Sequence, residues 1–456
     1  MTIATEQTTS SIRQDGQRNF VHPADVKGRF TSLRALLFVV LIAIYVALPF
    51  IKIGGHPAMF LDLQHRSFYL FGSTFNAQDF WLVFFLVTGL AYVLFVLTSM
   101  WGRVWCGYAC PQTVFLEGVY RRIERWVEGP RQTRLRRNAA PVNFDKVWRK
   151  LIKHLLFIAI TLVLAHVFLS YFVSLPSMIK MVQGSPAEHP TAFAWVMAFS
   201  AVFYFNFSWF REQFCVIMCP YGRMQSVLTD SDTMVIGYDE KRGEPRGKVS
   251  DPNNGDCINC NRCVVVCPTG IDIRNGLQID CIGCAACIDA CDEIMLKIGR
   301  PKGLVRYDSL NGLHGEAKKF FRPRLWFYIA MGLIGLTVAT IAFRSRSDYE
   351  ANLLRMQGAP YQLQDGKVRN SLELHLVNKR EKTAVFSIQG VAKQGQEFII
   401  PATTVELESL KSRRIPVFVL VPRGKASQIH KVQLRIRAEG SETEQIVEVP
   451  FVSPKN

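Results

Sequence analysis

The stretch Cys257–Met295 reads CINCNRCVVVCPTGIDIRNGLQIDCIGCAACIDACDEIM. Its eight cysteines fall into two runs with one spacing, C-x2-C-x2-C-x3-C: Cys257, Cys260, Cys263 and Cys267, then Cys281, Cys284, Cys287 and Cys291. Three closely spaced thiolates can wrap three corners of an iron–sulfur cubane. The fourth lies beyond a turn and reaches the neighbouring cubane. On that pattern Cys257, Cys260, Cys263 and Cys291 hold one [4Fe-4S] cluster, and Cys281, Cys284, Cys287 and Cys267 hold a second. Structural zinc, with four ligands from two C-x2-C knuckles, does not explain two matched runs of four. Pro268 follows the first run and Asp292 the second, which removes no ligand. Val264–Val266 and Ile282 are apolar residues able to shield clusters from water.

Working outward, residues 250–300 form a bacterial-type two-cluster ferredoxin module inside a polar region, 211–324. Five apolar blocks lie outside it: about 35–53, 80–100, 151–173, 192–210 and 325–343. Each matches the roughly 20 residues that cross a hydrocarbon core of about 30 Å. The chain carries a formal charge of +17, and the placement of that charge is informative. Lys and Arg crowd residues 1–34 (Arg13, Arg18, Lys27, Arg29, Arg34). They also crowd the loop 101–150 (Arg121, Arg122, Arg125, Arg131, Arg134, Arg136, Arg137) and the region 211–324. The loops 54–79 and 174–191 hold only Arg66 and Lys180. This alternation predicts a multi-pass protein with its N-terminus and ferredoxin module in the cytoplasm. The charge then reads as topology at a lipid membrane, and no nucleic-acid partner is expected. Residues 1–34 read as a disordered cytoplasmic tail without a cleaved signal.

After the fifth span, residues 344–456 change character. Ser371–Val377, Ala384–Ile388, Val405–Leu407, Ile415–Val421, Val432–Ile436 and Ile446–Val449 are short β-rich runs between polar turns. They predict a helix-free antiparallel β-sandwich on the far side of the membrane. None of the twelve cysteines lies there, so its core must be packed rather than cross-linked.

The four remaining cysteines form two C-x3-C-P pairs, Cys106 and Cys110 past the second span, Cys215 and Cys219 past the fourth. Trp101 and Arg103 precede one pair, Trp209 and Arg211 the other, which reads as a weak internal repeat. Thiols at i and i+4 share a helix face at a separation that disfavours a disulfide. Pro111 and Pro220 must kink or stop each helix and free the carbonyls of Gly107 and Val216 for other partners. Four thiols at one membrane depth are a candidate soft site for Cu(I), set against the ordinary reading of buried cysteines as small hydrophobes. His154 and His166 in the third span read as hydrogen-bonded intramembrane histidines rather than haem ligands. Met178, Met181 and His189 in the far-side loop could touch copper, but an interfacial helix is the favoured account of the methionines.

Five spans, two C-x3-C-P pairs, the double cysteine run and a cysteine-free β-domain together resemble the cytochrome c oxidase accessory protein family, known as FixG, RdxA or CcoG. The resemblance extends from about Phe20 to the C-terminal end. It implies a bacterial inner-membrane protein whose C-terminal domain is periplasmic and immunoglobulin-like. It also implies a role in maturing a cbb-type haem–copper oxidase by reducing Cu(II) to Cu(I), alongside copper chaperones and oxidase assembly factors. A cytoplasmic electron donor is required, and Cys106, Cys110, Cys215 and Cys219 are the candidate copper and thiol redox site. Two other readings remain. One is a quinol-linked ferredoxin subunit of a periplasmic reductase system, a group that lacks the fifth span and β-domain. The other is a non-catalytic assembly scaffold.

Overall fold

A computed structural model describes residues 20–63, 67–76, 79–317, 319, 321–345, 347–380, 382–392, 395–440 and 444–454. Among these residues, five helices are long and apolar enough to cross a membrane: α1 Arg29–Ala47, α2 Phe80–Trp101, α3 Phe144–Leu169, α4 Pro190–Phe205 and α5 Pro323–Arg344. A π-helical turn, Asn206–Phe210, extends α4 to the full span. Packing within this set is aromatic. Phe168 of α3 lies against Phe199 of α4, and the Tyr92 hydroxyl of α2 donates to the Tyr328 carbonyl of α5.

Several boundaries move for physical reasons. The first helix starts at Arg29, not 35, and ends at Ala47, because Pro49 cannot donate the next backbone bond. In its second turn Arg34 is buried, and its Nε donates to the Gly107 carbonyl at 3.0 Å. The third helix starts at Phe144 rather than 151, since Asn143 caps it by accepting from the Lys146 N–H at 2.8 Å. The stretch 101–150 is no simple loop. It holds helices Val104–Tyr108, Pro111–Phe115, Arg121–Glu128 and Arg131–Ala139, with a π turn at Leu116–Tyr120.

The disordered tail is also corrected. Residues 1–19 lie outside the described residues, but 20–28 run extended along the ferredoxin module. The Ala24 N–H donates to the Val265 carbonyl at 2.9 Å, and Arg262 donates to the Asp25 carbonyl at 2.7 Å. The helix N-terminus is then capped from a distance. Asp289, in the ferredoxin helix Ala286–Lys297, accepts from the Thr31 N–H and the Thr31 hydroxyl, each at 2.7 Å, and from the Phe30 N–H at 3.3 Å. A carboxylate there satisfies orphan donors and complements the helix dipole. Strands Val235–Tyr238 and Val305–Asp308 pair antiparallel, with Val235 opposite Asp308, and bracket the module in sequence.

The C-terminal strands form the second compact unit with a few residues from earlier in the chain. They are β1 Tyr349–Arg355, β2 Gln362–Gln364, β3 Lys367–Asn378, β4 Ala384–Gly390, β5 Glu397–Ile399, β6 Thr404–Leu407, β7 Ser412–Pro422, β8 Lys431–Ala438 and β9 Glu444–Pro450. One sheet runs β5-β7-β3-β1 with β2 on β3, the other β6-β4-β8-β9. Alternate residues point inward: Leu372, Leu374 and Leu376 of β3 meet Phe386, Ile388, Leu434 and Ile436 in one apolar core. All six runs anticipated from sequence lie inside strands. The domain is not free of helix, however, because Arg423–Ala426 makes one turn after β7.

Asp289→Ala should lower the thermal stability of the detergent-solubilised protein by about 0.5–2 kcal/mol, the usual range for a lost helix cap. Hydrogen exchange should rise first at residues 29–32. Unchanged exchange there would show that the cap is dispensable.

Candidate metal centre

Each cysteine run carries two left-handed residues, at matching positions. Asn259 and Asn261 have φ of 54° and 57°; Gly283 and Ala285, at the matching positions of the second run, have 67° and 61°. Left-handed residues alternating with cysteines turn backbone N–H groups and thiols toward one centre. The result is two small cavities. Cys257, Cys260, Cys263 and Cys291 line the first, with Tyr238 and Leu304. Cys267, Cys281, Cys284 and Cys287 line the second, with Ile271 and Ile282, and Cys263 borders both. The structure thus gathers the two sets of four that the spacing implied.

The donors in both cavities are thiols and the walls are largely apolar. Among the described residues no group of three or more His, Cys, Asp or Glu is close enough to hold a single ion. Zinc bonds to sulfur at about 2.3 Å and would draw its ligands together. Thiols that encircle a space instead fit a polynuclear cluster. Burial pushes the Cys263 thiol up to about 11 and those of Cys281 and Cys291 to about 12, so these three are neutral until metal displaces their protons.

The C-x3-C-P turns are alike in detail. The Cys110 N–H bonds back to the Trp105 carbonyl, and the Cys219 N–H to that of Phe214. Cys110 and Cys219 are extended, with ψ of 126° and 110°, and each caps a helix opened by proline. The prolines therefore sit at first helical positions rather than kinking a continuous helix. Of the two carbonyls left for other partners, that of Gly107 is taken by Arg34. The turns also dock on each other. Arg103 donates to the Gly222 carbonyl at 2.5 Å, Gln112 to that of Arg211 at 2.9 Å, and the Gln225 amide to Cys106 Sγ at 3.3 Å. Burial pushes the Cys106 thiol up to about 11, opposed by Gln225. Burial also raises Cys215, with repulsion from Cys110, Cys106 and Cys219 adding to it. All four thiols are thus within electrostatic reach, but they do not converge at single-ion spacing.

The first turn abuts the second cavity. Cys106 packs against the buried cluster that contains Val266, Ile282, Cys284 and Ala286, and Arg103 donates to the Cys281 carbonyl at 3.2 Å. A Cβ on Gly107 would lie 2.9 Å from the Cys284 Cα and the Gly283 carbonyl, so only glycine permits this approach.

Three family models match in register with this architecture. A 4Fe-4S dicluster domain covers residues 210–310, a 4Fe-4S binding domain covers 80–130, and the IG-like fold at the C-terminal of FixG covers 339–454. The "Nitrogen fixation protein FixG" of Rhizobium meliloti is 32% identical over 92% of this chain and 91% of its own length. "Protein RdxA" of Cereibacter sphaeroides is 36% identical, over 79% of this chain and 80% of its own length. "Protein RdxB" of the same organism is 34% identical over 96% of each. The chain belongs to the FixG family. It is a multi-pass membrane iron–sulfur electron-transfer protein with an immunoglobulin-like C-terminal domain. In this FixG-family chain Cys257, Cys260, Cys263 and Cys291, and Cys267, Cys281, Cys284 and Cys287, are the residues that would hold the two clusters.

Sequence reading missed the scaffold beneath the site. Arg121, Arg134 and Arg211 are not simply topological charges, because all three are buried. Arg211 grips Glu124 with both terminal nitrogens, at 2.9 and 3.2 Å, and Arg134 reaches the same carboxylate at 3.2 Å. Arg121 pairs with Glu117 and Glu212 and donates to the Pro268 carbonyl at 3.1 Å, one residue beyond Cys267. The only sequence signal was the repeat that placed Arg211 beside Trp209.

Glu124→Gln leaves buried guanidinium groups without their counter-charge and should destabilise by about 3–5 kcal/mol in thermal or denaturant melts. Burial pushes the Glu124 carboxyl up, but Arg211, Lys153, Arg121 and Arg134 together hold it below the ordinary 4.5. A depressed pKa contributes stability that is present above pH 4.5 and is lost as the pH falls through the lower folded value. The variant should lack that acid transition. Cys106 gives a second test. At pH 8 a thiol raised to about 11 carries roughly 100-fold less thiolate than one at 9.0, so cluster-free protein should alkylate there correspondingly slowly. Its rate should climb until about pH 11. A midpoint near 9 would contradict the burial.

Proposed function

We propose that this protein reduces Cu(II) to Cu(I) at Cys106, Cys110, Cys215 and Cys219 for assembly of a cbb-type cytochrome oxidase. The observation that carries the reading is the approach of Gly107, the neighbour of Cys106, to the backbone of Gly283 and Cys284, which brings the first C-x3-C-P turn to the edge of the second four-thiol cavity. When bound, the two [4Fe-4S] clusters supply one-electron transfer. The paired thiols would loosen their protons to capture the incoming ion, and soft sulfur favours the reduced product. Each Cu(II) gains one electron and departs as Cu(I), for a copper chaperone or an oxidase assembly factor to receive. Arg103 and Gln225 hold the two turns face to face. The Lys and Arg distribution supports a cytoplasmic site at the inner membrane, with a cytoplasmic reductant and a periplasmic β-domain.

A second reading has its own observation. A cavity of about 250 Å³ lies at the end of α2, lined by Trp101, Arg103, Gln278, Cys281 and Tyr307. Its position beside a cysteine of the second set suits a quinol-linked electron-transfer role.

Replacing all four C-x3-C-P cysteines with Ser should abolish Cu(II) reduction by the dithionite-reduced protein while iron and sulfide content stay at wild-type values. Retained reduction would discard the thiol site. Rapid re-oxidation by a quinone analogue, with none by Cu(II), would favour the second reading.

A further inference from the structure

The last two turns of α3, the helix Leu175–Gln183 and the first turns of α4 border an open cavity of about 230 Å³. Five of its lining residues carry soft or borderline metal donors: His166, His189, Met178, Met181 and Met197. The remaining walls are mainly apolar, and no carboxylate lines them. Met178 and Met181 stand three residues apart on one helix, hence on one face.

The imidazole of His166 is already set for ligation. Its Nδ1 lies 2.7 Å from the Leu162 carbonyl oxygen. A carbonyl only accepts, so Nδ1 carries the proton and Nε2 keeps its lone pair. Orientation of a ring by a backbone carbonyl at one nitrogen is how protein metal sites fix a histidine ligand at the other.

We propose that this cavity binds one Cu(I) ion through thioether sulfurs of Met178 and Met181 and imidazole nitrogen of His166 or His189, with Met197 completing the set. Thioether with imidazole favours a soft monovalent ion over Zn(II) or Mg(II). Thioethers do not protonate, so capture there needs no proton release, in contrast to the thiols of the C-x3-C-P turns. The two soft sites are distinct. Helix α4 with its π turn separates them, and its 21 residues span about 30 Å. The site stands on its own donor set and does not depend on the reading given to the thiols.

The test uses the full chain in lipid nanodiscs, with Cys106, Cys110, Cys215 and Cys219 changed to Ser to remove competing sulfur. Anaerobic competition against a chromogenic Cu(I) chelator should show one Cu(I) bound per chain. Met178→Leu with Met181→Leu, a near-isosteric pair that keeps the fold, should weaken binding at least tenfold without changing cluster content. X-ray absorption at the copper edge should show sulfur and nitrogen neighbours, with sulfur lost in the leucine protein. Equal Cu(I) stoichiometry and affinity in the leucine protein would overturn the site. So would displacement of the ion by equimolar Zn(II), or a copper shell without sulfur.

Discussion

Everything at the metal-bearing end of this protein depends on one close approach, that of Gly107 to the backbone of Gly283 and Cys284. Two chain segments more than 170 residues apart meet there with no side chain between them. The approach requires a glycine on one side and a left-handed turn on the other, and Gly283 supplies that turn with φ of 67°. Arg103 and Arg34 fasten the contact by binding carbonyls on either side of it. Move these backbones apart by a methyl group and Cys106 loses its place against the second cavity. The double cysteine run would then be a ferredoxin tethered to a membrane rather than one built onto it.

The buried ion pairs serve the same junction from the other side. A guanidinium such as Arg121 sheds its water only where carboxylates replace it, and Glu117 and Glu212 do so. Taking charges out of water is costly, and such pairs add little net stability. Their geometry, however, admits few alternatives. Arg121 also binds the carbonyl after Cys267, and Arg211 lies between the fourth span and the second C-x3-C-P turn. The network therefore fixes position: it registers three segments against one another at the base of the site. This is a structural use of arginine that a count of loop charges cannot separate from topology.

That distinction marks what could be read in advance. Local signals were legible. The spacing of Cys257–Cys291 fixed which thiols would group, apolar length fixed the spans, and period-two alternation fixed β3, β4, β7 and β8. Tyr349–Arg355 escaped because Ala351 and Leu353, its inward residues beside Tyr349, are common helix formers. The early start of α1 escaped because its cap, Asp289, lies some 260 residues downstream. Long-range partners leave no periodicity in either segment. The same reason hid the mutual docking of the C-x3-C-P turns, although their repeat was visible.

The chemistry of the two bundle ends differs in a way that follows from their donors. At one end are thiols, whose affinity for metal rises with pH because each must first lose a proton. At the other are methionine and histidine, and a thioether has no proton to lose before it binds a metal. A thiol end is suited to a reduced, near-neutral compartment, where sulfur stays free of disulfides. A thioether end keeps its soft donors in oxidising or mildly acidic surroundings, where free thiols would be lost. The positive-inside distribution of Lys and Arg points the same way, toward a reducing compartment on the thiol side. Donor type and loop charge are independent features of the sequence, and both accord with the orientation proposed for the bundle.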